Sequence, residues 1–154
     1  MGEAVDMILS KKSRYGLRAL LDLTVNSKNE HMALNAIADR NGISAQYLEQ
    51  VFAALRRAGI VKSIKGPQGG YSLNKRPEDI TVAQIVLALD GSYSVEKEVT
   101  PAGSCISGIT ETIQRKLLDR VNKQLDDVFT SITLKDLADD YIQNQMEAAD
   151  MYYI

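Results

Sequence analysis

The chain has 154 residues, of which 45% are hydrophobic and 25% are charged. This size and apolar content fit one globular domain, or a small domain with an extension, and exclude wholesale disorder, collagen-like repeats and low-complexity classes. The sequence contains no apolar run of about 18 residues, so no membrane span is predicted. One Cys and one His exclude a disulfide framework and the common thiolate and imidazole metal sites within a single chain, and favour a reducing, cytoplasmic setting.

Charge is unevenly distributed along the chain. Residues 1–76 carry 12 Lys and Arg against 6 Asp and Glu, and residues 77–154 carry 6 against 14, so the halves have formal charges of +6 and −8. A basic half joined to an acidic half indicates that one half faces a polyanion while the other has a different role. Chance clustering would give the same distribution, so the inference needs support from motifs.

Three helices are predicted in the basic half. The first begins at Ser10, the second covers residues 34–40, and the third covers residues 45–58 with Ser44 as its N-cap. Because only about four residues, including Gly42, separate the second and third helices, their spacing predicts a helix-turn-helix.

The periodicity changes after the third helix. Residues 60–65 and 71–73 have the composition of strands, and the glycine-rich segment between them is typical of a tight turn. A hairpin that follows a helix-turn-helix predicts a winged helix-turn-helix. The expected fold class is therefore mainly α with a small β-hairpin wing and a long C-terminal dimerisation helix.

The acidic half is predicted to contain a short helix over residues 80–89, capped by Thr81, then a polar, mobile segment over 91–103 and a long helix. The long helix begins near residue 104 or 107 and ends near 130, a length of about 35–40 Å. Its apolar residues recur every three or four positions, so we expect it to pair with a second copy of itself, although folding back over the wing domain would also bury them. The predicted interface residues are Ile109, Ile113, Leu117, Val121, Leu125 and Val128, with Ile106 at the start of the stripe.

These elements divide the chain into three parts. Residues 7–76 are predicted to form the DNA-binding domain, and residues 77–140 the linker helix, the loop and the dimerisation helix. Residues 141–154 are predicted to form a C-terminal tail with an apolar, aromatic end, preceded by a short amphipathic segment over 132–140.

The third helix carries residues of the kind that read DNA bases. With residues 48, 51, 52 and 55 turned inward, Gln46, Tyr47, Glu49 and Gln50 lie on the outer face of its first turns. In a major groove, Gln can bond adenine bidentately and Glu can accept from cytosine N4. An ordinary solvated face has the same composition, so this helix alone does not decide between the two interpretations.

The hairpin adds a second feature typical of DNA binding. Lys62 and Lys65 lie next to the glycine-rich turn, where backbone N–H groups can approach phosphates and a lysine at the tip can enter a minor groove. The turn lacks the Lys-Ser/Thr ending and the following helix of a nucleotide-binding loop. Beside a helix-turn-helix, it favours DNA binding.

Several motifs resemble those of the Rrf2 family of bacterial transcriptional regulators over about residues 7–140. They are SRYG at 13–16, ISAQYLEQ at 43–50, LRRAG at 55–59, KGPQGGY at 65–71, ITV at 80–82 and ITLKDL at 132–137. The resemblance implies a homodimeric regulator, expected to be a repressor and not an enzyme, with the third helix in the major groove of a palindromic operator and Lys65 in the minor groove. The residues predicted to contact DNA are Lys11, Lys12, Arg14, Tyr15, Ser44, Gln46, Tyr47, Glu49, Gln50, Arg56, Lys62, Lys65, Gly66, Gln68, Gly69, Gly70 and Tyr71.

The cysteine content departs from that of the cluster-binding members of the family. Those relatives have three cysteines between the helix after the wing and the long helix, whereas this chain has only Cys105. Because iron–sulfur clusters need several thiolates, we expect no iron–sulfur cluster, no metal and no other cofactor. An alternative role for Cys105 is a redox switch, which requires an exposed, reactive thiol.

A narrower resemblance within the family is to a cluster-free repressor of cysteine metabolism. It rests on the lone cysteine, MILS at 7–10, ITLKDL at 132–137 and MYYI at 151–154. It implies O-acetylserine thiol-lyase as a partner, bound through Tyr152, Tyr153 and Ile154, since terminal carboxylates are captured by backbone N–H nests. The alternatives are a tail that packs on its own dimer, and a protein-interaction adaptor that works through the long helix and tail.

Overall fold

The computed structural model describes residues 8–27 and 30–152. Tyr153 and Ile154, which the resemblance assigns to partner binding, lie outside the described residues. The elements are α1 (Lys11–Asn26), α2 (Leu34–Asn41), α3 (Ala45–Arg57), β1 (Val61–Ile64), β2 (Gly70–Leu73), a 3-10 turn (Pro77–Asp79), α4 (Val82–Asp90), α5 (Ser107–Ile113), a π-helical segment (Gln114–Leu118), α6 (Asp119–Ser131) and α7 (Leu134–Tyr152). The predicted helical fold with a β-hairpin wing is confirmed.

Three helices, α1, α3 and α4, begin where a side chain satisfies a backbone N–H group of the first turn. The hydroxyl of Ser10 accepts from the N–H of Ser13 at 3.2 Å, at the start of α1. The hydroxyl of Ser44 caps α3 in the same way. Thr81 and Gln84 form a reciprocal capping box at the start of α4. Caps are local signals, which is why the predicted starts of these three helices are confirmed to within two residues.

The core lies between α1, α2, α3, α4 and the hairpin. The inward stripe predicted for α3 is confirmed, since Leu48, Val51, Phe52 and Leu55 are all fully buried. The acidic half also contributes to this core, because Ile80, Ile85, Leu89 and Leu134 belong to the same cluster of buried residues. The predicted domain border at residue 76 therefore runs through one continuous core.

The wing is an antiparallel hairpin whose register runs from Val61 opposite Leu73 to Ile64 opposite Gly70. An isolated β-bridge joins this two-stranded sheet at Met32, between α1 and α2, and we call this one-residue pairing the third strand. Met32 and Tyr71 exchange two backbone hydrogen bonds, each 2.9 Å long. No pattern in the sequence predicts this third strand.

The segment between α4 and α5 lies along the helices that follow it, although the sequence predicts a mobile segment. The side chain of Asn122 binds both backbone groups of Val95, at 2.6 and 3.2 Å. The hydroxyl of Tyr93 donates to Asp126 at 2.5 Å, and this hydrogen bond raises the pKa of Tyr93. Polar side chains of the long helix thus hold backbone that has no regular partner of its own.

The predicted long helix is present as α5, the π-helical segment and α6, which are contiguous from residue 107 to 131. From Ile109 to Leu125, the stripe residues are four apart, and four residues of an α-helix overshoot a full turn by about 40°. A π-helical turn contains one extra residue and takes back about 100° of that drift. It therefore keeps the stripe closer to one side of the long helix.

The C-terminal part is one helix and not the predicted short segment followed by a separate tail. The start of α7 is tied to the domain, because the N–H of Leu134 donates to the carbonyl of Ile80 at 2.8 Å and Leu134 is fully buried. Ala138 is the last buried residue of α7, and residues 139–152 are exposed. Among the described residues, no helix is both long and apolar enough to span a membrane.

Candidate nucleic-acid interface

The exposed face of α3 carries three of the predicted base-reading residues. Gln46, Glu49 and Gln50 are all exposed, whereas their neighbour Leu48 is fully buried. The N–H of Tyr47 donates to the hydroxyl of Ser44 at 3.1 Å, which fixes where the helix begins. The buried stripe and the cap together present the amide and carboxylate groups outward, as contact with a major groove requires.

Two tyrosines connect α3 to the basic start of α1. The rings of Tyr15 and Tyr47 meet edge to face, 5.6 Å apart. Lys11 Nζ lies 5.3 Å and Arg18 Cζ lies 5.2 Å from the centre of the Tyr15 ring, within the range of cation–π contact. Arg18 also donates to the carbonyl of Asn41 at 2.5 Å. The structure therefore places Tyr15 beneath two basic side chains, with the ring of Tyr47 packed against it.

Arg18 is not among the residues predicted from the sequence to contact DNA. The sequence does contain a pattern that points to Arg18, because residues 11, 15 and 18 are spaced i, i+4 and i+7 and lie on one face of a helix. The other basic candidates, Lys11, Arg14 and Arg56, are exposed, and Lys12 is half-buried. Arg14 Nε donates to the carbonyl of Leu9 at 3.0 Å, which turns part of its guanidinium toward the start of α1.

The tip of the wing is exposed and basic. Lys65, Gly66 and Gln68 are all exposed. Gly66 has φ of +114°, a conformation that other residues rarely adopt. The N–H of Gly69 closes the turn by donating to the carbonyl of Gly66 at 2.9 Å. The predicted minor-groove lysine therefore lies at a turn whose shape depends on glycine.

Two further glycines are explained by close contacts inside the protein. A Cβ atom on Gly69 would lie 2.2 Å from the carbonyl oxygen of Ile64, and one on Gly70 would lie 2.2 Å from the carbonyl oxygen of Met32. Real Cβ atoms do not approach backbone so closely. The glycine pair thus permits the turn and the third strand, which is a packing role beside the predicted phosphate contact.

Tyr71 and Lys62 lie on opposite faces of the hairpin. The ring of Tyr71 contacts Phe52, with centroids 4.9 Å apart, so it packs on the core. Side chains alternate along a strand, and Lys62 is therefore on the outer face together with Ser72. It lines a cleft there with Lys75. The hairpin does not bring these two predicted contacts together.

The predicted dimer stripe is mostly uncovered. Ile109, Ile113, Leu117, Val121 and Val128 have between 36% and 62% of their surface exposed. Leu125 differs, because it is half-buried beside Phe129, where the long helix packs on α4. A groove of about 620 Å³ runs along this face, with Lys116, Arg120 and Lys123 on its rim.

Cys105 is exposed and precedes α5. Exposure is one requirement of the redox role considered for it. In the part of the chain that the structure describes, no group of three or more His, Cys, Asp and Glu side chains could hold a metal ion.

A Gln- and Glu-bearing helix beside a basic hairpin defines the chain as a winged helix-turn-helix protein of the DNA-binding type. Residues 9–140 match the model of the Rrf2 family, described as an iron-dependent transcriptional regulator. The chain therefore belongs to the Rrf2 family. It is a DNA-binding transcriptional regulator, and the expectation that it is not an enzyme is confirmed by its relatives.

Individual relatives agree with this assignment. The transcriptional regulator IscR of Vibrio atlanticus (strain LGP32) is 38% identical over 133 residues, which cover 84% of this chain and 76% of that protein. The solved structure of CymR, the global cysteine regulator of B. subtilis, superposes with a TM-score of 0.73 at 36% identity and covers 86% of this chain and 97% of that one. IscR of T. potens gives a TM-score of 0.71 at 35% identity, covering 90% and 91%.

The expectation that this protein has no cofactor is wrong, because the family model that matches it describes iron-dependent regulators and its relatives include IscR. That expectation counts only the thiolates of one chain. A metal bound between two copies takes ligands from both copies. The number of thiolates in one chain therefore does not exclude a metal-bound form. The described residues of a single chain, with Cys105 alone, do not by themselves fit the several thiolates of a cluster.

Proposed function

We propose that this protein is a homodimeric transcriptional repressor that reads a palindromic operator. In each copy, α3 enters the major groove with Gln46, Glu49 and Gln50, and Lys65 at the wing tip enters the adjacent minor groove. The main support is the division of α3 into a fully buried apolar face and an exposed face with these three residues. Phosphate contacts from the basic start of α1 add affinity that depends on salt.

The uncovered stripe on the long helix supports the homodimer. Monomeric proteins rarely expose a long row of apolar side chains, and such rows mark interaction surfaces. A second copy of the same helix has the same spacing and the same π-helical segment, so the two stripes are complementary by symmetry. In this arrangement, the long helices set the distance between the α3 helices of the two copies.

The regulated genes are proposed to be those of cysteine and sulfur metabolism. The support is the similarity in sequence and structure to CymR, which is a global cysteine regulator in B. subtilis. A regulator of this kind acts in the cytoplasm, where bacterial DNA lies. Selection of bound duplexes from a random pool, followed by transcription from the selected operator in vitro, tests both the gene class and the sign of regulation.

Substitutions on α3 test how the operator is read. We expect Glu49→Ala and Gln50→Ala to lose about 1–3 kcal/mol of discrimination each, because a base contact disappears. Stability stays nearly unchanged, since both side chains are exposed. The matched control is Glu147→Ala, an exposed position on α7. Fluorescence anisotropy on operator and random duplexes measures the ratio of the two affinities. If both variants keep the affinity ratio of the parent protein, the proposed base contacts of α3 are contradicted.

A charged residue substituted into the apolar stripe of the long helix tests the proposed dimer interface. We expect Val121→Glu to give a monomer in sedimentation velocity, because two carboxylates would be brought together in an apolar interface. Thr130→Glu places the same charge on the opposite side of α6, where it leaves the dimer intact. A parent protein that sediments as a monomer, or a dimeric Val121→Glu variant, would refute this interface.

The end of α7 is proposed to bind O-acetylserine thiol-lyase. Met151 and Tyr152 are 77% and 88% exposed, so they are free to contact another protein. Calorimetry with the protein lacking residues 151–154 tests this proposal. We expect that binding of the thiol-lyase is lost while the dimer persists, and undiminished binding would refute the contact.

A further inference from the structure

The connection between α1 and α2 is attached to the wing at two points. At Met32, two backbone hydrogen bonds join it to Tyr71 and form the third strand. At the neighbouring His31, the ring nitrogen Nε2 lies 2.5 Å from the carbonyl oxygen of Gln68, in the turn of the hairpin. Because a carbonyl oxygen only accepts, Nε2 carries the hydrogen in this contact.

The second attachment, from His31, reaches the turn of the hairpin, which has few hydrogen bonds of its own. Lys65, Gly66 and Gln68 are exposed, and the turn has one internal backbone hydrogen bond, from Gly69 to Gly66. Among the described residues, His31 is the one whose side chain hydrogen-bonds to the turn from outside the hairpin. Its ring therefore restricts a loop whose glycine content would otherwise allow many conformations.

We infer that His31 is a positioning residue for DNA binding. By holding the carbonyl of Gln68, it keeps the wing tip, and with it Lys65, in the orientation that reaches the minor groove. This inference rests on the proposed function, because it assumes that Lys65 contacts DNA. When the tip samples other orientations, the apparent affinity falls in proportion to the fraction of molecules with the tip in place.

A double-mutant cycle tests this role. The variants are His31→Ala, Lys65→Ala, the double variant and His31→Gln, whose amide can donate to the same carbonyl. Anisotropy on the selected operator measures affinity at several salt concentrations, and thermal unfolding measures stability. Gln143→Ala, which removes an exposed hydrogen bond to Glu147 on α7, is the control.

We expect His31→Ala to bind DNA about three- to tenfold more weakly, the effect of one net hydrogen bond. His31→Gln should recover most of this loss. The double variant should bind no more weakly than Lys65→Ala alone, because His31 acts through the tip. A purely structural role would instead lower the melting temperature and give additive losses.

The possible failures are distinguishable. A weaker Lys65→Ala variant with a parental His31→Ala variant would overturn the positioning role and leave the wing contact standing. Additive losses, or no rescue by His31→Gln, would also overturn it. If Lys65→Ala binds like the parent, both the wing contact and the positioning role are refuted.

Discussion

Gly70→Ala would test whether the third strand stabilises the wing. The new Cβ atom would lie 2.2 Å from the carbonyl oxygen and 2.5 Å from the carbonyl carbon of Met32, whereas ordinary contacts begin at 3.4 Å. The clash involves backbone on both sides, so no side-chain rotation relieves it. Met32 must therefore move away by more than 1 Å, which stretches or breaks its two hydrogen bonds to Tyr71.

The cost follows from those two hydrogen bonds. Each contributes about 0.5–1.5 kcal/mol net, so their loss costs about 1–3 kcal/mol. Replacing Gly by Ala restricts the unfolded chain and returns about 0.4–1 kcal/mol. The expected net destabilisation is about 0–2.6 kcal/mol, centred near 1.3 kcal/mol. The central value lowers the melting temperature of a chain of this size by about 3–5 °C.

Urea unfolding followed by circular dichroism measures this change. Gly108→Ala is the matched control, because nothing lies within 4 Å of its Cβ position in α5, and the same substitution there should be neutral or stabilising by up to about 1 kcal/mol. Hydrogen exchange at the amides of Met32 and Tyr71 should be faster in Gly70→Ala. Parental stability together with parental exchange at these amides would refute the role of the third strand.

Three further predictions concern the wing tip and two helix starts. Lys65→Ala should weaken operator binding and reduce the slope of log affinity against log salt by about one, and an unchanged slope would count against a phosphate contact. Ser44→Ala should cost about 0.5–2 kcal/mol in urea unfolding, since the N–H of Tyr47 loses its cap; a parental midpoint would contradict this. Asp136 accepts from the N–H of Thr133, which lowers the pKa of Asp136 below 3.8. Its contribution to stability is therefore present above pH 3.8 and is lost as the pH falls through the lower folded value. Asp136→Asn should be less stable than the parent near pH 7, and this difference should shrink in thermal unfolding below pH 3.8; a difference that is constant with pH would contradict the assignment.

Helix α3 shows why much of the candidate site could be predicted from the sequence. The outward position of Gln46, Glu49 and Gln50 follows from the apolar stripe on the same helix, and the start of α3 follows from Ser44. These signals lie within about one or two helical turns of the residues that they position. Local periodicity and capping are therefore sufficient to place them.

Other parts of the site depend on residues that are distant in the sequence. The structure packs the ring of Tyr71 on Phe52, although the sequence placed it among the DNA contacts. It also places Asn122 against Val95, which are 27 residues apart. Such pairs exist only after the chain has folded, and neither composition nor spacing indicates them.

The sequence by itself determined the helix-turn-helix, the wing, the outward face of α3 and the membership of a regulator family, because each depends on short-range patterns. The tertiary structure decided that Met32 adds a third strand, that His31 reaches the wing tip, that a π-helical turn adjusts the phase of the long helix and that α7 continues to Tyr152. Backbone pairing and side-chain contact between separate segments depend on the distances between them in the folded chain, and those distances are set by how the core packs.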